Sequence, residues 1–423
     1  MTRFRTRGIS SRHELNHKTN VRRIDLSNFQ KATSETARDI NRRIVLNLVR
    51  THQPISRAEL ARHSGLQRST VSVIAEQLIR DRWITEGANG HTPRGRRPQL
   101  LHLNKERVGI IGINVRPITT TLALADLDAN FLAQDSLPTP SDPKQFVAEL
   151  VPRVRKLMHA RSELTCEGIG VSLPGRVDLA SKQLVFAPNL GWKDIDLKTP
   201  LEKATGLPVE LENAANSCAL SEICFGRRAE GLRNLIVVTV SEGIGCGLIL
   251  NHQLVQGSTG TAGEFGHATL IQDGLECSCG NRGCWEMYAS NSAAIRHYTK
   301  AIAPTRPTKR ATETEKTISF DHLLRLADQG DAKAVEALQQ MAKHLGQGMA
   351  PLVTGLAPDM IVIVGEVTRA WRDVGPIIKE TIKQQSFTRA ETQIVPSDPL
   401  TQPRLRGTIA LVLLKHFGAP SIA

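Results

Sequence analysis

The sequence predicts a multidomain chain: an α winged helix-turn-helix followed by a larger α/β body. Three observations predict it. Two short helical patterns meet at a glycine turn and lead into a strand–tip–strand segment before residue 105. From Val108 onward, apolar strand runs alternate with helical segments. Two of those runs, near 108 and near 235, open with the same strand-and-hairpin texture, as expected of two related lobes around a cleft.

Residues 1–35 are polar, basic and aperiodic, and read as a flexible arm. A helical pattern covers about 38–51, with Ile40, Ile44, Leu46, Leu48 and Val49 on a broad apolar face and Pro54 as its stop. Ser56-Arg57-Ala58-Glu59 has the form of a capping box, in which Ser56 accepts from the Glu59 backbone N–H and the Glu59 carboxylate reaches back. That helix runs to about His63, and Ser64-Gly65 makes the turn. A second helix is expected over about 68–81, with Val71, Ile74 and Leu78 on one face. Trp83-Ile84 and residues 100–103 read as short strands around a tip containing Arg94, Arg96 and Arg97, which is a wing. The winged domain therefore spans 36–105.

Charge supports this division. Residues 1–105 hold 21 Lys+Arg against 8 Asp+Glu, whereas the remainder has 33 of each sign, so the whole net charge of +13 sits in the first quarter. A basic block on a neutral body suits an anionic polymer. The start of the second helix offers Gln67, Arg68, Ser69, Thr70 and Ser72, and the early part of such a helix enters the major groove. Arg68 suits a guanine or a phosphate, and Gln67 an adenine. Arg94, Arg96 and Arg97 suit phosphates or a narrow minor groove. The expected partner is operator DNA.

Length, 423 residues, requires more than one core. No apolar run approaches the ~18 residues of a membrane span, and the charged N-terminus lacks an apolar segment behind it. No membrane partner is expected, and the location is expected to be cytoplasmic. In the body, strands are expected near 108–113, 120–125, 168–172, 235–240, 247–250 and 360–364, a Pro/Thr/Lys-rich loop at 303–318, and a last helix at 407–417.

Of seven cysteines, three cluster as Cys277-x-Cys279-x4-Cys284, ten residues after His267. Three thiolates and one imidazole make a closed tetrahedral site for Zn2+. A full ligand set leaves no position for an activated water, so the metal is expected to be structural.

Ala262-Gly263-Glu264-Phe265-Gly266-His267, followed by Cys-x-Cys-Gly-x-x-Gly-Cys-Trp-Glu, resembles the signature of the ROK family of repressors, open reading frames and sugar kinases, in its repressor branch. Residues 171–178 and 188–192 fit the same pattern, and the resemblance covers about 38–418. It implies an α/β domain over 106–423 built of two actin/hexokinase-like, ribonuclease-H-like lobes. The first is expected at about 106–230 plus the helix 407–417, the second at about 231–406 with the zinc loop at 267–286. It implies a sugar or sugar phosphate in the cleft, with Asn213, Glu264, His267 and Glu286 as contacts. Glu264 and Glu286 also read as supports of the zinc loop.

The kinase chemistry of that family departs here. Where its kinases carry Glu-Asn-Asp-Ala-Asn, with Asp as base, this chain has Glu212-Asn213-Ala214-Ala215-Asn216. Loss of a general base costs about 10²–10⁴-fold. The first phosphate loop, Asp-x-Gly-Gly-Thr in the kinases, is Asn114-Val115-Arg116-Pro117-Ile118, and Glu242 stands in the second. Val364-Gly365-Glu366-Val367 is short of glycine where adenosine would lie. No catalytic residue is assigned. The expected function is a sugar-responsive, DNA-binding regulator, a homodimer or homotetramer repressing carbohydrate genes. The alternatives are an active kinase that also binds DNA, and a repressor gated by a protein partner.

Overall fold

In the computed structural model of the protein, the described residues are 34–89, 98–178, 180–226, 231–302, 318–387 and 392–417. The wing arginines Arg94, Arg96 and Arg97 lie outside them, as do residues 1–33 of the expected arm and 303–317 of the expected loop.

Helix α1 (Ser34–His52) begins four residues earlier than its apolar periodicity indicated, so residues 34 and 35 belong to the helix and not to the arm. Strand β1 (Ile55–Ser56) leads into α2 (Arg57–Ser64) and α3 (Arg68–Arg80). The capping box forms: the Glu59 N–H donates to Ser56 Oγ at 3.3 Å, and Glu59 Oε2 accepts from the Ser56 N–H at 2.9 Å. Gly65, at φ 70°, takes the left-handed cap that turns the chain toward α3. β2 (Ile84–Asn89) and β3 (Gln99–Leu103) pair antiparallel with Ile84 opposite Leu103, and β1 adds to the other edge of β3. These are the two strands of the wing.

The body repeats one sheet twice. In the first lobe β4 (Val108–Asn114), β5 (Thr119–Ala125) and β6 (Phe131–Pro138) form an antiparallel meander. After α4 (Pro143–Met158), β7 (Thr165–Leu173) pairs parallel with β4. Short β8 (Arg176–Val177), β9 (Leu184–Ala187) and β10 (Trp192–Ile195) make a separate small sheet. Then α5 (Lys198–Thr205) leads to β11 (Val209–Asn213), parallel to β7, and to α6 (Ala214–Phe225).

The second lobe repeats the pattern with β12 (Leu235–Val240), β13 (Ile244–Leu250) and β14 (Gln253–Leu254) antiparallel. Helices α7 (Glu286–Ala289), α8 (Asn291–Ile302), α9 (Phe320–Asp328) and α10 (Ala332–Leu356) follow. Strand β15 (Met360–Val364) pairs parallel with β12, and after α11 (Trp371–Gln385), β16 (Gln393–Pro396) pairs parallel with β15. The orders β11-β7-β4-β5-β6 and β14-β13-β12-β15-β16 are mirror readings of one topology.

One assignment changes. Residues 214–225 were expected in the first lobe. Instead Cys218, Ala219 and Leu220 of α6 cluster with Leu235, Val237, Ile249, Met360 and Val362 of the second sheet. The helix α12 (Pro403–Phe417) lies on the first sheet, where Ile409 and Val412 pack with Val108 and Ile110. The two helices touch closely: a Cβ on Gly407 would stand 1.9 Å from the Ser217 carbonyl oxygen. Because α6 is buried almost all round, its apolar pattern favours no single face, and chain order alone suggested the wrong sheet.

The winged domain shares a core with the first lobe. Val45, Leu46 and Trp83 cluster with Val108, Ile110, Leu413 and Phe417. The Trp83 ring lies 4.3 Å from that of His416 and 5.9 Å from that of Phe417. The Arg50 guanidinium sits 5.5 Å over Phe417 and donates to the Cys224 carbonyl at 3.1 Å. Among the described residues, no helix is long and apolar enough to cross a membrane.

Candidate functional site

A cleft of about 320 Å³ opens between the lobes, and Asn213, Glu264, His267 and Glu286 all line it. Each arrives on a different local structure. Asn213 ends β11 and caps α6, accepting from the Ala215 N–H at 2.7 Å while its Nδ2 donates to the Gly175 carbonyl at 2.6 Å. The amide is thereby fixed before any ligand arrives. Buried Glu212 holds this corner, accepting from the Asn213 N–H at 2.8 Å, Asn216 Nδ2 at 3.0 Å and Gln256 Nε2 at 2.6 Å. Gln256 belongs to the other lobe. Sequence reasoning did not single out Glu212, although a carboxylate directly before an N-cap is a usable signal.

Glu264 and His267 share one 3-10 turn (Glu264–His267), whose three-residue period puts both side chains on one side. Gly263 enters that turn at φ 95° with its α-carbon against the Cys246 carbonyl, a position closed to a side chain. His267 Nε2 faces Glu264 Oε2 at 3.7 Å, and Nδ1 faces Glu286 Oε1 at 3.5 Å. Burial pushes the Glu264 carboxyl above its ordinary value, His267 partly opposing this and Glu286 adding to it. Glu286 Oε2 accepts from the Ile244 N–H at 3.4 Å. Trp285 anchors Glu286: its ring is buried, its Nε1 donates to the His344 carbonyl at 2.8 Å, and Gly348 leaves room for the indole.

Behind the cleft, one donor atom each from His267, Cys277, Cys279 and Cys284 lie within 4.8 Å of one another. The Cys279 and Cys284 sulfurs are 3.7 Å apart, and Cys277 Sγ is 3.6 Å from His267 Nδ1. A tetrahedral zinc site has S–S edges of about 3.8 Å and S–N edges of about 3.6 Å, so the donor set fits that ion. Nδ1 faces the sulfurs, so an ion held there would take Nδ1 and leave the Nε2 proton directed at Glu264 and the cleft.

Next to this region the two lobes are tied by charge. Arg116, after β4, donates to Glu366 Oε1 at 3.0 Å and lies 3.5 Å from Glu242 Oε1. Asn291 Nδ2 donates to the other Glu366 oxygen at 3.1 Å. Burial opposes both charges, yet Arg116, a backbone N–H and Arg404 together hold the Glu366 carboxyl below its ordinary value, while the two carboxylates hold the guanidinium above its own. Two carboxylates thus stand among the three segments read as degraded nucleotide loops, and Ala214 offers no base at the cleft wall.

On α3, Val71, Ile74, Ala75 and Leu78 are buried, and Gln67, Arg68 and Ser69 are exposed, with Thr70 and Ser72 half-buried. The Ser72 hydroxyl donates to the Arg68 carbonyl at 2.9 Å, so it is less free for a base than its position suggested.

The family model described as ROK family matches residues 110–414. A xylose repressor from Bacillus spizizenii is 32% identical over 387 residues, 89% of this chain and 96% of that protein. The DNA-binding transcriptional dual regulator NagC of Escherichia coli is 28% identical over 89% of this chain and 93% of its own. Among solved structures, a ROK family transcriptional regulator, a homologue of the E. coli MLC protein, matches 91% of this chain and 99% of its own, at TM-score 0.78 and 26% identity. A ROK family glucokinase from Streptomyces griseus, in complex with glucose and AMPPNP, covers only 72% of this chain at TM-score 0.63 and 28% identity. From the motif, the doubled sheet and these matches together, the chain belongs to the ROK family.

Proposed function

We propose that the protein is a sugar-responsive transcriptional repressor whose sugar-kinase-like domain senses a ligand and performs no phosphoryl transfer. One observation carries the reading: the hydroxyl-accepting residues Asn213, Glu264, His267 and Glu286 converge on the cleft, while Arg116, Glu242 and Glu366 fill the phosphate region and Ala214 replaces the base. The carboxylates accept from sugar hydroxyls, Asn213 is held rigid to meet one, and the apolar wall at Pro174 and Pro188 suits a sugar face. Carboxylates facing a triphosphate repel it. Similarity to a xylose repressor favours a neutral pentose or hexose over a phosphorylated one.

Zn2+ bound by His267, Cys277, Cys279 and Cys284 supplies a structural cross-link. The chain's own residues do the sensing: His267 presents Nε2–H, and Glu264 and Glu286 are oriented by the same loop. The DNA-binding residues are Gln67, Arg68, Ser69, Thr70 and Ser72 with Arg94, Arg96 and Arg97 of the wing. A cytoplasmic homodimer or homotetramer sets two recognition helices about 34–36 Å apart on a pseudo-palindromic operator. Sugar closes the cleft, respaces those helices and lowers operator affinity.

The test is a gel shift on DNA from upstream of the protein's own gene, across a panel of sugars and sugar phosphates. Release by one sugar, with log affinity falling steeply with log salt, is the expected result. Retention with every sugar favours a protein-partner gate, and turnover of ATP in a coupled assay with the same sugars overturns the loss of kinase activity.

A further inference from the structure

We propose that Val73 reads the 5-methyl group of a thymine in the major groove, an inference that rests on the DNA-binding reading above. The buried side of α3 is set by Val71, Ile74, Ala75 and Leu78. At 100° per residue, the line opposite them carries Ser69, Val73, Glu76 and Arg80. Val73 is 65% exposed, the only large hydrophobic among the exposed ones that lies on this helix. A single exposed apolar side chain is ordinary elsewhere on a surface. Here it stands at the centre of the outward face, one turn beyond Ser69.

Neither packing nor helix propensity explains it. A β-branched residue is a poor choice for an exposed helix interior, where Lys, Glu or Ala is favoured. The side chain touches no core, so the local rule is broken without a gain inside the fold. The gain lies outside it. The domain's excess positive charge selects a duplex as the occupant of this face. In the major groove, thymine is the base that presents a methyl group, and an apolar side chain recognises it by contact. The Ser72 hydroxyl gives its proton to the Arg68 carbonyl and keeps only acceptor capacity for DNA, while Val73 and Ser69 stand at the centre of the outward face.

The experiment uses the full-length protein at one fixed salt concentration. Duplexes are first selected from a random-sequence pool, and each thymine of the enriched site is then replaced singly by deoxyuridine, which lacks only the methyl. At one position in each half-site the replacement is expected to weaken binding about fourfold, the worth of one buried methyl. Val73→Ala removes the contact from both half-sites at once, so it should lose about sixteenfold on the thymine duplex and become indifferent to uracil there, whereas Val73→Ile should keep the discrimination. Unchanged affinity of all three proteins for an unrelated duplex confirms that they are folded. A flat uracil scan with the unmodified chain, or a Val73→Ala protein that still discriminates, overturns the proposal. A pool that yields no enriched duplex overturns the DNA-binding reading itself, and this inference with it.

Discussion

Arg116 of the first lobe donates to Glu366 of the second at 3.0 Å, across 250 residues of sequence, and the same guanidinium neutralises Glu242. One guanidinium therefore contacts two carboxylates of the opposite lobe. Arg116→Ala leaves Glu242 and Glu366 with only the weaker pull of Arg404 on Glu366, so it should destabilise the protein by on the order of 1 kcal/mol, the three side chains being part-exposed. Calorimetry at low and high salt checks this, because the loss should shrink as salt screens the pair. The exchange Arg116→Glu with Glu366→Arg should recover part of it.

Restoring the missing base should not restore a kinase. Ala214→Asp returns a carboxylate to the cleft wall, but Glu242 and Glu366 still oppose the phosphates. Phosphorylation of glucose or xylose by ATP is expected to stay at background in an ADP-coupled assay. Turnover by the single variant would mean that the charge cluster does not exclude nucleotide.

Features that depend on neighbours in sequence were legible from the residues. The capping box at Ser56, the cysteine spacing after His267, and the strand-hairpin starts of both lobes all formed as read. Features set by distant partners were not. Arg116 read as the loss of a phosphate loop, and its new partner at Glu366 is visible only once the lobes meet. Helix α6 went to the second sheet because an all-round buried helix carries no directional pattern. Asn213 read as a ligand contact, and its prior engagement with Ala215 and Gly175 depends on a turn 38 residues away.

Removing the metal should disable sensing before it disables the fold. The exposed Cys279 can be changed to Ser without opening a core cavity. Cys279→Ser, or treatment with a chelator, should lose one bound zinc per chain and lower sugar affinity at least tenfold, since His267, Glu264 and Glu286 share the loop. Metal analysis and calorimetric titration with sugar check both. Binding of DNA without sugar should survive, because α3 packs on the core shared with the first lobe, whereas the residues after the zinc loop pack on the core of the second.

Glu264→Gln and Glu286→Gln separate a sugar sensor from a partner-gated repressor. Each removes a carboxylate that lines the cleft. Both should abolish release of DNA by sugar while leaving operator affinity in its absence within about twofold. Intact regulation in both variants would assign control to another surface.

His416 joins the sensor to the DNA-binding domain, and its titration should be felt there. Its ring lies against Trp83, and its pKa is lowered from 6.5 to about 4 by burial and then by Arg42, Arg43 and Lys415, with Asp39 opposing. The folded value lies below the ordinary one, so the fold favours the neutral ring. That contribution is complete above about pH 6.5 and is lost as the pH falls from there toward 4, at roughly 1 kcal/mol per pH unit. Melting temperature should therefore drop over this window, and His416→Phe should flatten it while keeping an aromatic ring on Trp83. The same helix, α12, brings Arg404 to the cleft at its other end. With one end in the cleft and the other on Trp83, this helix offers a route for sugar binding to reach the winged domain, beside the Arg50 bond to the Cys224 carbonyl. His416→Ala should accordingly keep sugar affinity and sugar-free DNA affinity but reduce the factor by which either weakens the other, measured in both directions because such coupling is reciprocal.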